Sequence, residues 1–266
     1  ADFTAAQLKA GGFSAKALKG VFFTAAELKA NGFTPRELRV GTFTAKDLRP
    51  LGYSVYEFRE AGFTVANLQA VGVLLPELKE AYPATELKEG AYGCTEMRAA
   101  GFSAKELKEA GYSAAEKRIA GFSAAEMREA GYSAKKVKAA GYPASEARDA
   151  GWGVEALKGA GYSALEMKQA KVTALELKQV QFSLSELRGA GFSTQELQAV
   201  GFGAEELRAA GASLGDLASA GATVAELRQA GISAIGLKAE GISLEEMKAV
   251  GYPVKDLRAA GYTPPE

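Results

Sequence analysis

Ala100-Gly101-Phe102-Ser103-Ala104-Lys105-Glu106-Leu107-Lys108-Glu109 is followed at once by Ala110-Gly111-Tyr112-Ser113, the same phrase beginning again. Working outward in both directions, the phrase fills the 266-residue chain in about twenty-six drifting copies. A short internal period of this kind is the mark of a repeat array, which grows by addition and has no single core of fixed size.

With Ala100 as position 1 and Glu109 as position 10, each position has a physical reason under a helical reading. Position 4 is Ser or Thr in most copies (Thr24, Ser54, Ser103, Ser193, Thr223), the residue types that cap a helix N-terminus. Position 7, three residues on, is mostly Glu (Glu27, Glu106, Glu126, Glu206), and Ser/Thr-x-x-Glu is a capping box. Pro35 stands at position 5, the first helical residue, where proline is tolerated. Gly at position 2 suits the left-handed residue past a helix end. Lys or Arg at position 9 suits the negative end of the helix dipole. The phrase predicts a helix of roughly seven residues and a three-residue turn. The aromatic at position 3 should staple to position 8 ahead and touch position 8 behind, so Phe102 should meet both Leu107 and Met97. Ala104, Leu107 and Ala110 fall on one face. A helix this short is far below the ~12–15 residues needed for stability alone, so it exists only by stacking on neighbours.

Position 3 runs Phe3, Phe13, Phe23 and onward to Val73, slips back by one residue where Ala81 meets Tyr82 without a glycine, and continues from Tyr82 to Tyr262. Neither a composition shift nor a linker interrupts it. The expectation is one continuous array over residues 1–266 with a deletion at 81–82. The 32 basic and 32 acidic residues balance, which argues against binding nucleic acid through counterion release. Histidine is absent and Cys94 is the only cysteine, which removes the commonest general base, disulfide pairing and thiolate metal clusters. No apolar run approaches the ~18 residues of a membrane span. No phosphate loop, dinucleotide fingerprint, metal spacing or nucleophile motif appears, so no catalytic, cofactor or metal residues are expected.

Large apolar residues every five positions (Phe102, Leu107, Tyr112), with Ala two before each aromatic, resemble the pentapeptide-repeat β-solenoid. Two residues before the Leu, however, stand Lys16, Arg36, Lys46, Tyr56 and Lys105, side chains that an inward small-residue slot could not hold. Abundant Ala, Glu, Leu and Lys also favour helix over strand. The reading is therefore all-α, an α-solenoid of about 26 ten-residue helix–turn units, with the β-solenoid as the alternative. It resembles HEAT and TPR arrays only as a class, since their periods and signatures are missing, and no functional residue carries over. Phe/Tyr alternation from Phe102 to Tyr132 hints at a two-unit, twenty-residue layer, giving an array on the order of 100 Å long at ordinary helix spacing.

Among the departures, Lys117 occupies a position-8 core slot, and Ile119 is expected to turn inward in its place. Pro83, Pro143 and Pro253 replace the capping hydroxyl, Lys171 and Gln181 replace the turn glycine, and Pro50 shortens its helix. Ala212 and Ala222 remove the aromatic, with Leu214 and Val224 as volume compensation. Cys94 sits in a small apolar slot and should be packed. Function is an inference from repetition: a non-enzymatic scaffold, spacer or coat protein that binds other proteins, or itself, along the array. End units such as Phe3, Leu8 and Tyr262, which read as interior copies, add to the expectation of assembly or flanking sequence. The alternative is a recognition groove for an extended peptide or glycan, with Tyr82, Tyr92, Tyr132, Tyr142, Trp152 and Tyr162 as its aromatic platform at the rim of the core.

Overall fold

A computed structural model describes residues 3–263. These carry twenty-six short α-helices, α1 (Ala5–Ala10) to α26 (Val254–Ala259), and no strand. The β-solenoid alternative is overturned, because a lysine-bearing inward strand position has nowhere to go and each phrase carries its own helix start and stop.

The unit is clearest at α11 (Ala104–Glu109). Ser103 is extended, at φ −74° and ψ 159°. Its Oγ accepts from the Glu106 N–H at 3.2 Å, and its own N–H donates to Glu106 Oε2 at 2.8 Å. Each residue satisfies a backbone donor that the helix start leaves open. Where Gly93 or Gly203 replaces the hydroxyl, the returning bond to Glu96 or Glu206 survives at 2.7 and 2.8 Å. Pro83, Pro143 and Pro253 have no N–H to offer and no side-chain cap. The helix is six residues long rather than seven, because the position-1 residue Ala110 serves as C-cap and Gly111 turns left-handed at φ +78°. Gly111 N–H donates to Lys108 O at 3.0 Å and Tyr112 N–H to Leu107 O at 2.9 Å, the paired bonds of a Schellman turn. Non-glycine residues are forced into the same left-handed position at Phe22, Thr42, Ala91, Lys171 and Gln181. At Pro50 the helix stops after Ala45–Leu48 and finishes as a 3-10 turn.

The aromatic staple is visible where position 8 is itself a ring. Phe58 lies edge-on to Tyr53 before it at 6.2 Å and to Phe63 after it at 5.3 Å. Position-8 side chains such as Leu107, Met127 and Leu177 are fully buried. Lys117 takes the same buried slot while Ile119 is 82% exposed, the reverse of the expectation. The cap at Ser113 and the turn bonds Gly121 N–H to Arg118 O and Phe122 N–H to Lys117 O fix the phase of α12 (Ala114–Ile119). Position 10 therefore points outward whatever its side chain, and the helix cannot roll to bury isoleucine. A further core change escaped the sequence reading: Ala147 fills a position-8 slot at 0% exposure, and the indole of Trp152 packs against the cluster that contains it. The larger ring offsets the missing leucine volume.

The chain divides into two compact units, Ala1–Gly131 and Tyr132–Glu266. In the first, helices pack on the next but one, as α2 (Ala15–Gly20) does on α4 (Pro35–Val40), α9 (Ala84–Glu89) on α11, and α11 on α13 (Ala124–Glu129). In the second, α15 (Ala144–Asp149) packs likewise on α17 (Ala164–Gln169), and α21 (Ala204–Ala209) on α23 (Val224–Gln229). The twenty-residue layer that the sequence only hinted at between Phe102 and Tyr132 recurs through each unit. The slip lies inside the first unit and is absorbed in the turn. Tyr82 N–H donates to Leu78 O, four residues back, where other copies reach five.

Candidate functional site

The conspicuous chemistry of the array is a tie between layers, made by position 9. Lys158 Nζ donates to Val180 O and Gln181 O, both at 2.7 Å, and lies 4.6 Å from the centre of the Phe182 ring. Lys178 repeats this on Val200, Gly201 and Phe202, and Lys108 reaches Ala130 O and Gly131 O at 2.8 and 2.9 Å. The cation's hydrogen bonds thus cap the C-terminal carbonyls of the helix two units ahead, not those of its own helix. Several cations extend to the capping carboxylate of the helix that follows, three units ahead: Lys9 to Glu37 at 3.0 Å, Arg49 to Glu77 at 3.1 Å, Arg148 to Glu176 at 3.3 Å. These pairs are about one-third exposed and contribute little individually. The ring contact adds about 0.5–1 kcal/mol at a half-exposed site. Across the slip the spacing shortens by one residue, and Arg59 meets Tyr82 and Glu86.

Lysine is confined to ring partners, whereas arginine covers rings and aliphatic residues alike: Arg39 lies over Phe63, Arg98 over Phe122 and Arg228 over Tyr252. Every position-9 lysine whose partner lies in the same unit, from Lys9 over Phe33 to Lys238 over Tyr262, covers a ring. The aliphatic residues Val73, Val172, Ala212 and Ile232 stand opposite Arg49, Arg148, Arg188 and Arg208, twenty-four residues earlier, while Ala222 and Ile242 stand opposite Gln198 and Ala218. A compact, strongly hydrated ammonium needs the ring's negative face when water is removed. The more weakly hydrated guanidinium tolerates an aliphatic neighbour and reaches on to a carboxylate.

The tyrosines proposed as a platform are mostly buried, and Tyr82 and Tyr162 lie inside this clasp under Arg59 and Lys138. Tyr82, Tyr132, Tyr142 and Tyr162 are buried, and Tyr92 and Trp152 are half-buried. The expectation that position 3 lies at the rim of the core is corrected for those four. The hydroxyls donate to the position-3 carbonyl one layer earlier: Tyr162 to Tyr142 O at 2.8 Å, Tyr112 to Tyr92 O at 2.5 Å, Tyr82 to Phe63 O at 2.5 Å. Burial pushes the Tyr82 phenol up to about 12. Tyr82 and Tyr92 belong to the first unit and the other four to the second, and no shared exposed ridge joins the members within either unit. The clasp was missed because its partners are two copies apart, although the lysine-to-ring pairing at twenty-four residues was a signal present in the sequence.

Buried titratable groups otherwise concentrate around α10 (Cys94–Ala99) and α12, which pack on each other. The Cys94 thiol is buried, and burial raises its pKa. Lys117 Nζ donates to Tyr112 O at 2.5 Å, and burial lowers the pKa of its ammonium. The repeated position-7 carboxylates are engaged in caps. Hydrogen bonds from the Ser103 hydroxyl and N–H hold Glu106 below its ordinary range, and the backbone and hydroxyl of Thr24 do the same for Glu27. Among the described residues no group of three or more His, Cys, Asp or Glu is placed to hold a metal ion, and no helix is long and apolar enough to cross a membrane. The side chains left facing solvent are chiefly those of positions 6 and 10: Tyr56, Leu165, Leu175 and Ile235 at position 6, Val40 and Ile119 at position 10.

A family model described as a decapeptide repeat region matches residues 1–55, 42–114, 74–144, 121–194, 141–214, 161–234 and 201–266, overlapping segments that tile the chain. A search of curated proteins finds no match.

Proposed function

The chain belongs to the decapeptide repeat family, and we propose that it serves as a non-enzymatic scaffold, spacer or coat component that binds other proteins along its repeats. The observation that carries this reading is the division of labour within the ten-residue unit. Positions 2, 3, 4, 5, 7, 8 and 9 build the turn, cap, core and clasp, whereas positions 6 and 10 face solvent and vary freely. Each layer therefore presents the same frame with different surface side chains, a geometry suited to binding extended partners rather than to converging on one reacting atom. Exposed aliphatic side chains at these positions, such as Leu165, Leu175 and Ile119, are the sort of contacts a protein partner would cover.

The test exchanges position-6 and position-10 residues between copies while keeping the other eight. Circular dichroism and melting temperature should stay those of the parent chain. Proteins photo-crosslinked from the native source should be lost from the exchanged variant. Capture of the same proteins by both chains, or a parent chain that sediments alone with nothing crosslinked, would overturn the reading.

A further inference from the structure

Open grooves lie in equivalent places between four pairs of stacked helices, and one of these four differs from the other three. Between α24 (Ala234–Ala239) and α26, and between α9 and α11, the lining carries an acidic side chain of the second helix, Asp256 in the former and Glu106 with Glu109 in the latter. The groove between α7 (Val65–Gln69) and α9 carries Glu86 and Glu89. The groove between α2 and α4, with a volume of about 560 Å³, carries Lys16 and Arg36 at position 6 and Val40 at position 10, where Glu89 and Glu109 stand elsewhere. Phe33 closes its floor.

Lys16 and Arg36 are exposed, with no carboxylate partner among the described residues. The acidic side chains described from α1 to α5 (Ala45–Leu48) are Glu27, Glu37 and Asp47. Each accepts from its own N-cap N–H, at 2.8, 2.6 and 2.8 Å, and is thereby held at its helix start. Glu37, the carboxylate in the groove wall, is in addition paired with Lys9. The groove thus combines uncompensated positive charge with exposed aliphatic surface, Val40 being 72% exposed.

We propose that the groove between α2 and α4 docks an acidic segment of a partner protein that also carries an apolar side chain. The carboxylates pair with Lys16 and Arg36, and the apolar residue covers Val40. This deepens the scaffold reading and rests on it. A protein segment fits better than nucleic acid because two free cations are few for binding a phosphate backbone, while Val40 and the half-exposed ring of Phe13 together offer apolar surface for a side chain to cover.

The probe is a fluorescein-labelled peptide of alternating Glu and Leu, followed by anisotropy against the full chain. Saturable binding that weakens with added salt is expected. The double substitution Lys16→Glu with Arg36→Glu should weaken it by about tenfold or more, roughly 1.4 kcal/mol for each factor of ten, and should create binding to the corresponding Lys-Leu peptide. Val40→Glu should weaken it separately. All three positions are exposed, so melting temperature reports whether each variant remains folded. Binding unchanged in the double variant, no binding by the parent chain, or equal binding of a single-stranded oligonucleotide of the same charge would overturn the proposal. If the double variant still captures the partners crosslinked by the parent chain, the groove assignment fails while the scaffold reading stands.

Discussion

Transplanting a clasp to where it is missing should stabilise the second unit, and the two halves of the transplant should depend on each other. Gln198 stands at position 9 of α20 (Thr194–Ala199) and Ala222 at the ring position twenty-four residues on. Gln198 Oε1 is buried without a hydrogen-bond partner, and a side chain added at Gly221 would meet nothing within 4 Å, whereas at the equivalent Gly201 it would meet Lys178 Nζ at 3.5 Å. Gln198→Lys removes the orphaned acceptor, worth about 1–3 kcal/mol, and brings the ammonium to the carbonyls of Ala220 and Gly221 as Lys178 reaches those of Val200 and Gly201. Ala222→Phe adds a half-buried ring, since Ala222 is itself half-buried, for about 1 kcal/mol, near half the value of full burial. Together they also form the cation–ring contact, seen at 4.2 Å between Lys178 and Phe202, which neither single variant contains. Urea unfolding of the parent, both single variants and the double variant should give a double-variant gain of roughly 3 kcal/mol. About 0.5–1 kcal/mol of it should appear as coupling between the sites. Strictly additive single effects would refute the clasp as an energetic unit. A destabilising Ala222→Phe would show that Leu214 and Val224, which pack on this core, already occupy the ring's space.

Thr42→Gly and Lys171→Gly should each raise stability by about 1–2 kcal/mol, read from urea midpoints, because both residues are left-handed at φ +69° and +61° and bear a Cβ there. Lys117→Met places the residue type of Met97 and Met127 in the buried slot and should gain roughly 1–2 kcal/mol by removing an interior ammonium; a loss would show that its bond to Tyr112 O outweighs its burial. Tyr162→Phe should cost about 0.5–1.5 kcal/mol through the lost bond to Tyr142 O, while near-ultraviolet dichroism stays native. Melting temperature should hold from neutral pH down to the ordinary carboxylate pKa of 4.5 and fall below it. Glu106 and Glu186 are lowered by hydrogen bonds from Ser103 and Ser183, so their contribution is present above the unfolded value and lost as pH drops through the folded one. A melting temperature unchanged to pH 3 would contradict it.

Much of the unit was legible in ten residues because its determinants are local. Ser103, Glu106, Leu107 and Gly111 act within three or four residues of one another, and capping and turn chemistry have a short reach. The misreading at Lys117 and Ile119 shows where that local reading stopped. Hydrophobicity favoured turning Ile119 inward, but bonds at both helix ends had already set the helix's rotation. The tyrosines were misjudged for a related reason. The acceptor of the Tyr162 hydroxyl is the Tyr142 carbonyl, a backbone atom that leaves no trace in residue type. The candidate groove was hidden by the balanced total charge, because the contrast between Lys16 with Arg36 and the acidic lining of its counterparts shows only when equivalent grooves are compared.

Residue order alone specified the cassette: where each helix begins, how it ends, and which face it must bury. It left open which copy lies against which, because near-identical phrases make every register locally equivalent. Folding resolved that choice by setting helices on the next but one, so that a position-9 cation meets carbonyls, ring and carboxylate together. Six-residue helices cannot stand alone, and that interlayer contact supplies the burial they lack.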